Sequence, residues 1–219
     1  MVIFTGAPQS PRHGQYEIAG VKYPRVSTIL GVISKPGLEA WRQRVGVEEA
    51  NRISTEAANH GTALHTILEH IDNGLTPPVP AQFAPSVAAY IDWRTDHVAA
   101  VLMVEQIVYH ERHRYAGTLD RLYLLNDGRR VVGDFKTGAS VDGVYRLQLA
   151  AYAEALEAMG HGAIDGRLVL HLPRIAPGYL RTETLDREEQ DRKAWRSAVR
   201  LWRWNERHRN DYQKTRVKA

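Results

Sequence analysis

The spacing of apolar positions changes twice along this chain, and the changes mark off helical and extended stretches. Residues 1–25 are interrupted by Pro8, Pro11, Gly14, Gly20 and Pro24 and read as irregular. Ser27 to Leu30 can begin a helix. Pro36, suited to a first helical turn, opens another that runs through Trp41 and Arg44. Asn59-His60-Gly61-Thr62 leads into a helix on which Leu64, Ile67, Leu68 and Ile71 recur at helical spacing. Asn73-Gly74 ends it, TPPVPAQFAP is a connecting loop, and residues 86–100 form a further helix. From residue 103 the pattern becomes extended: MVEQIVYH, YAGTLDRLYLL and RRVVGDFKT are rich in β-branched and aromatic residues and are separated by turn signals. Residues 144–159 return to the helical period, GRLVLHL and GYLRTETL are two short strands, and a long last helix runs from about Asp186 to Arg209. This order predicts an α/β (α+β) fold: a central sheet of about five strands flanked by helices, with an N-terminal helical wall.

The turns set a register. Asn126-Asp127-Gly128 suits a three-residue hairpin loop with glycine in the left-handed position, pairing Leu125 with Arg129 and placing Asp120 opposite Asp134. A four-residue loop from Glu111 to Arg114 pairs His110 with Tyr115 and brings Glu105 opposite Asp120 from the other side. Three carboxylates then form a row across adjacent strands. Opposed side chains there have Cβ atoms about 5 Å apart, and like charges destabilise the sheet unless a cation neutralises them. Lys136, two residues after Asp134, shares its face and can orient a water or stabilise charge on a phosphate.

Composition narrows the chemistry. There is no cysteine among 219 residues, which excludes disulfides, thiolate metal sites, iron–sulfur clusters and a cysteine nucleophile. A metal must be held by oxygen or imidazole, which favours Mg²⁺ or Mn²⁺. The net charge of +4 and pI near 9.4 suit a polyanionic partner. No apolar run approaches bilayer thickness and no secretory signal is recognisable, so no membrane association and a cytoplasmic location (bacterial, or host if phage-encoded) are expected. No GxxxxGK[ST] loop is present, which disfavours a motor and a nucleotide cofactor.

GTALH (Gly61 to His65), YAGTLD (Tyr115 to Asp120), GDFKTG (Gly133 to Gly138) and QLAAY (Gln148 to Tyr152) together resemble the RecB-like branch of the PD-(D/E)xK nucleases, in that family's order. YPRVSTIL followed by KPGLEAW is similar to the leader of phage exonucleases and of the mitochondrial genome maintenance exonuclease. The resemblance implies a restriction-endonuclease-like core with a mixed sheet. It implies that His65, Asp120, Asp134 and the backbone carbonyl of Phe135 ligate metal, with Glu105 a less uniform acidic position. Lys136 would be the catalytic lysine, and Gln148 and Tyr152 would contact the substrate strand or support Lys136. The Cas4-like relatives carry cysteines for a cluster, so this chain is similar to the cluster-free members.

The expected activity is a Mg²⁺- or Mn²⁺-dependent DNA exonuclease acting on single-stranded DNA or free ends in recombination, repair or replication. Two alternatives stay open: a structure-specific or restriction-like endonuclease, and a catalytically silent DNA-binding module. The expected layout is one nuclease domain over 1–219: a helical region (1–100), a catalytic core (101–185) and a basic C-terminal helix (186–219). Tyr145 shares a helix face with Gln148 and Tyr152. On the last helix Arg192, Arg196, Arg200, Arg203 and Arg207 lie close to one stripe that could grip phosphates, while Trp195, Val199 and Trp202 face the body. Tyr90, Trp93, Trp204 and Trp41 could stack bases or simply be buried, and Arg42 is equally ambiguous.

Overall fold

A computed structural model describes residues 15–139, 143–185 and 188–209. After a short hairpin (β1, Gln15–Ile18; β2, Val21–Pro24) come four helices: α1 (Val26–Leu30), α2 (Pro36–Val45), α3 (Val47–Asp72) and α4 (Ala84–His97). Three strands follow, β3 (Val98–His110), β4 (Tyr115–Leu125) and β5 (Arg130–Lys136), then α5 (Val144–Ala158), β6 (Gly166–His171), β7 (Arg181–Thr184) and α6 (Glu188–His208).

The main sheet has the order β3-β4-β5-β6-β7 and is mixed: β5 and β6 run parallel, the other pairs antiparallel. The parallel pair needs a crossover, which α5 supplies. Helices cover both faces. On one, Leu149 and Leu156 of α5 pack with Ile29 of α1, Trp195 and Val199 of α6, and Leu122 and Val132 of the sheet. On the other, Leu64 and Leu68 of α3, Phe83 just before α4, and Val87 and Tyr90 of α4 close over Tyr123, Val131, Phe135 and Leu170. Central strands so enclosed read as nearly continuous apolar runs.

The two hairpin registers match the turn chemistry. Gly128 is left-handed (φ 85°), the Leu125 N–H donates to the Arg129 carbonyl, and Arg121 pairs with Gly133. Tyr115 pairs with His110, and Gln106 and Val104 pair with Leu119 and Arg121, so Glu105 falls opposite Asp120.

Three expectations need correction. Residues 15–24 are not irregular but a hairpin turning at Ala19-Gly20, both at positive φ, with Tyr16 and Tyr23 buried against Ala116. The third helix starts at Val47, well before residue 63, and passes through Gly61 without a break. A mid-helix glycine costs about 1 kcal/mol; here a Cβ would sit 3.0 Å from Thr137 Oγ1, so the missing side chain lets α3 lie close to the end of β5. Finally, β3 begins at Val98 rather than 103, because Ala100 and Val101 pair with Leu124 and Tyr123; a short apolar run such as VAAVLMV carries no period that separates helix from strand. The predicted start of the last helix at Asp186 lies outside the described residues. Among the described residues no helix is long and apolar enough to cross a membrane.

Candidate active site

The ladder between β4 and β5 stops at Arg121 and Gly133, one position before the two aspartates. Beyond it the Asp120 side chain takes over: its Oδ2 accepts the backbone N–H of Phe135 at 2.9 Å. Asp120 is thereby fixed to β5, beside Asp134. On α3, His65 Nδ1 lies 3.6 Å from the same Asp120 oxygen, and the imidazole rests edge-on against the Phe135 ring.

Glu105 completes this corner. One ligand atom each from His65, Glu105 and Asp120 lie within 4.8 Å of one another. Glu105 is left-handed (φ 47°). A non-glycine residue there costs on the order of 1–3 kcal/mol, and such strain clusters at functional sites. Burial, then the charge of Asp120, raises the Glu105 carboxyl to about 7.

Asp134 is fully buried and turned toward α5 and Lys136. Its Oδ1 accepts a hydrogen bond from Gln148 Nε2 at 3.0 Å, and its other oxygen contacts the Lys136 ammonium. Burial raises its pKa; Lys136 opposes this and Asp120 adds to it. For Lys136, burial alone would depress the ammonium, but Asp134 and Asp120 outweigh it and the pKa is raised. The lysine is therefore a cation at neutral pH. Its Nζ also lies 4.3 Å from the centre of the Tyr145 ring.

Gln148 Nε2 further donates to the Tyr152 hydroxyl at 3.2 Å. Burial and the nearby Asp134 and Asp120 push Tyr152 well above its ordinary pKa, so the hydroxyl stays protonated. Its ring packs against Gly117, where a Cβ would come within 2.5 Å of Cε1. The glycine of YAGTLD is thus the space that QLAAY fills.

Sequence reasoning missed the support behind this site. Arg121, fully buried, donates from Nε to Asp72 Oδ2 at 2.6 Å and from Nη1 to the Asp120 carbonyl at 2.6 Å, with Glu105 Oε1 at 3.4 Å. Tyr90 donates to the same Asp72 oxygen and lies 3.1 Å from the Tyr123 hydroxyl. The only available signal was a charged residue directly after Asp120 in a strand buried on both faces.

Other expected contacts go elsewhere. Tyr90 is wholly buried and offers no face to a base. Trp93 stacks on His97, and Trp204, on His208, stays exposed. Trp41 is half-buried, and Arg42 is bonded to Asn51. The α6 stripe divides: Arg192 binds Glu157 and Glu188, Arg196 binds the buried Glu154, and Arg203 donates to the His113 carbonyl, while Arg200 and Arg207 are exposed. Trp195 and Val199 pack on the body as expected. His110, His113 and Glu154 form a second compact group, but Arg196 already neutralises its carboxylate and Arg203 adds positive charge, which disfavours a dication there.

The corner of His65, Glu105 and Asp120, with Asp134 beside it, offers oxygen and imidazole donors in a strained, partly desolvated pocket. That donor chemistry fits a hard divalent cation.

The family model described as PD-(D/E)XK nuclease superfamily matches residues 82–217, more than half of the chain. Among solved structures, the one titled "Crystal structure of SSO0001" is similar at 13% identity and a TM-score of 0.38, covering 81% of this chain and 75% of that one. Among curated proteins none matches. The chain belongs to the PD-(D/E)XK nuclease superfamily.

Proposed function

We propose that this member of the PD-(D/E)XK nuclease superfamily is a DNA exonuclease of the RecB-like branch, using Mg²⁺ or Mn²⁺ and acting on single-stranded DNA or free ends. The observation that carries the reading is that Asp120, bonded to the Phe135 N–H and beside His65 of the adjoining helix, is fixed to the strand that holds the Asp134–Lys136 pair. His65, Asp120, Asp134 and the Phe135 carbonyl, with Glu105, would hold the ion. When bound it supplies Lewis acidity that acidifies a water and polarises a phosphate.

The protein's own groups do the rest. Asp120 is held in place through the Phe135 N–H, so its remaining lone pairs keep a fixed direction. Lys136, a cation held against Asp134, orients the attacking water and offsets charge that builds on the phosphoryl oxygens. Gln148, itself bonded to the buried Tyr152 hydroxyl, keeps Asp134 turned toward Lys136. Water displaces one ester oxygen of the phosphodiester directly, and no covalent enzyme intermediate forms.

The test is digestion of matched linear and circular single-stranded DNA with Mn²⁺. An exonuclease degrades the linear form and spares the closed circle; equal loss of both would replace this reading with an endonuclease.

A further inference from the structure

We infer that the loop of residues 173–180, between β6 and β7, is a subsite for an unpaired nucleotide of the substrate strand, with Arg174 on its phosphate and Tyr179 and Ile175 on its base. The inference rests on the nuclease reading above. Because β5 and β6 are parallel, the loop leaves the sheet at the end that carries Lys136. The alignment continues past the strands: the Leu172 N–H donates to the Lys136 carbonyl at 2.8 Å and the Arg174 N–H to the Thr137 carbonyl at 3.1 Å. The Arg174 backbone is therefore tied to the residue that follows the catalytic lysine.

The loop is built to hold its shape. Ala176 N–H bonds the Pro173 carbonyl and Tyr179 N–H the Ala176 carbonyl, giving two successive turns. Gly178 is left-handed (φ 87°), and a Cβ on it would lie 3.2 Å from Cβ of Pro85 at the start of α4. On this braced loop Ile175 is 74% and Tyr179 56% exposed. A single exposed apolar residue is ordinary. Here two share a turn-braced loop with a cation, at the end of the sheet that carries Lys136. Among the described residues the Arg174 guanidinium pairs with Glu56, at 4.0 Å with both side chains exposed, a contact too weak to remove it from service. An aromatic face stacks any base, and an arginine meets its phosphate, which suits a single strand read without sequence preference.

The test compares the intact chain with Tyr179→Ala, Ile175→Ser and Arg174→Ala on a single-stranded oligonucleotide and on bis(p-nitrophenyl) phosphate, a diester too small to reach the loop. The expected result is a KM for the oligonucleotide raised about tenfold by Tyr179→Ala, with kinetics on the small diester unchanged. Unchanged oligonucleotide KM, or equal losses on both substrates, would overturn the subsite. Quenching of a 2-aminopurine strand in Ca²⁺ reads the same contact without turnover: weaker binding by Tyr179→Ala supports the subsite and equal binding overturns it. A wild-type chain that binds the strand through Tyr179 yet cleaves neither substrate would instead remove the nuclease reading.

Discussion

The carboxylate of Asp120 accepts the backbone N–H of Phe135, so the acid on β4 is locked to the strand that carries Asp134 and Lys136. Where a sheet would make its next ladder bond, a side chain stands in for a carbonyl. The two strands part there with the Phe135 N–H still paired, and the gap they open is the candidate site.

Glu105 gives a pH signature. Its carboxyl is raised from 4.5 to about 7 by burial and then by Asp120. A raised acid contributes stability that is complete below its unfolded pKa and is lost as pH climbs through the folded one, here between about 4.5 and about 7. Glu105→Gln should therefore stabilise the metal-free protein at pH 8, by an amount on the order of 1–2 kcal/mol after allowing for partial exposure, and change little at pH 5. Thermal denaturation in EDTA at the two pH values checks this.

Gln148 joins Asp134 to Tyr152. Gln148→Ala should lower kcat by about 10- to 100-fold, the range for groups that orient a metal-binding carboxylate, with little change in Tm. Steady-state kinetics that show only a raised KM would assign Gln148 to substrate binding instead.

Arg121 and Asp72 are a buried ion pair behind the site, both side chains at 0% exposure. Arg121→Met alone should cost about 3–5 kcal/mol, because it removes the buried cation of the pair and leaves the Asp72 carboxylate with Tyr90 and the half-exposed Arg94. Adding Asp72→Leu should recover much of that loss. Urea denaturation of the single and double variants measures the coupling, and additive effects would contradict it.

On α6 the arginines should separate by role. Arg196→Ala removes the partner of buried Glu154 and should lower stability by about 1–3 kcal/mol while leaving the salt dependence of DNA binding unchanged. Arg200→Ala should keep stability and reduce that dependence by about one counterion.

Much of the candidate site was legible in the sequence. The Asn126-Asp127-Gly128 loop and the loop from Glu111 to Arg114 fix both registers, since a hairpin turn permits few pairings and each residue counted back from it has a definite opposite. Glu105, Asp120 and Asp134 follow from that arithmetic. Its limits are equally physical. Glu105 reaches His65 with a left-handed backbone, which no alternation rule anticipates. Arg121 reads as one charged residue in an apolar strand until Asp72, forty-nine positions earlier, is seen to meet it. Gly61 reads as a break because its cost is local while its compensation, contact with Thr137, is tertiary. The α6 stripe reads as a phosphate grip because the acids that hold Arg192 and Arg196 include Glu154 and Glu157, on another helix.

The central claim is that Asp120, Asp134 and Lys136 form one hydrolytic centre. The most direct measurement is cleavage of end-labelled single-stranded DNA by wild type, Asp134→Asn and Lys136→Ala, with Mn²⁺ or with EDTA, alongside Mn²⁺ titration calorimetry. The account predicts metal-dependent cleavage by wild type alone, lost Mn²⁺ binding in Asp134→Asn, and retained binding with turnover reduced at least about 100-fold in Lys136→Ala. Undiminished Mn²⁺-dependent cleavage by Asp134→Asn would contradict it.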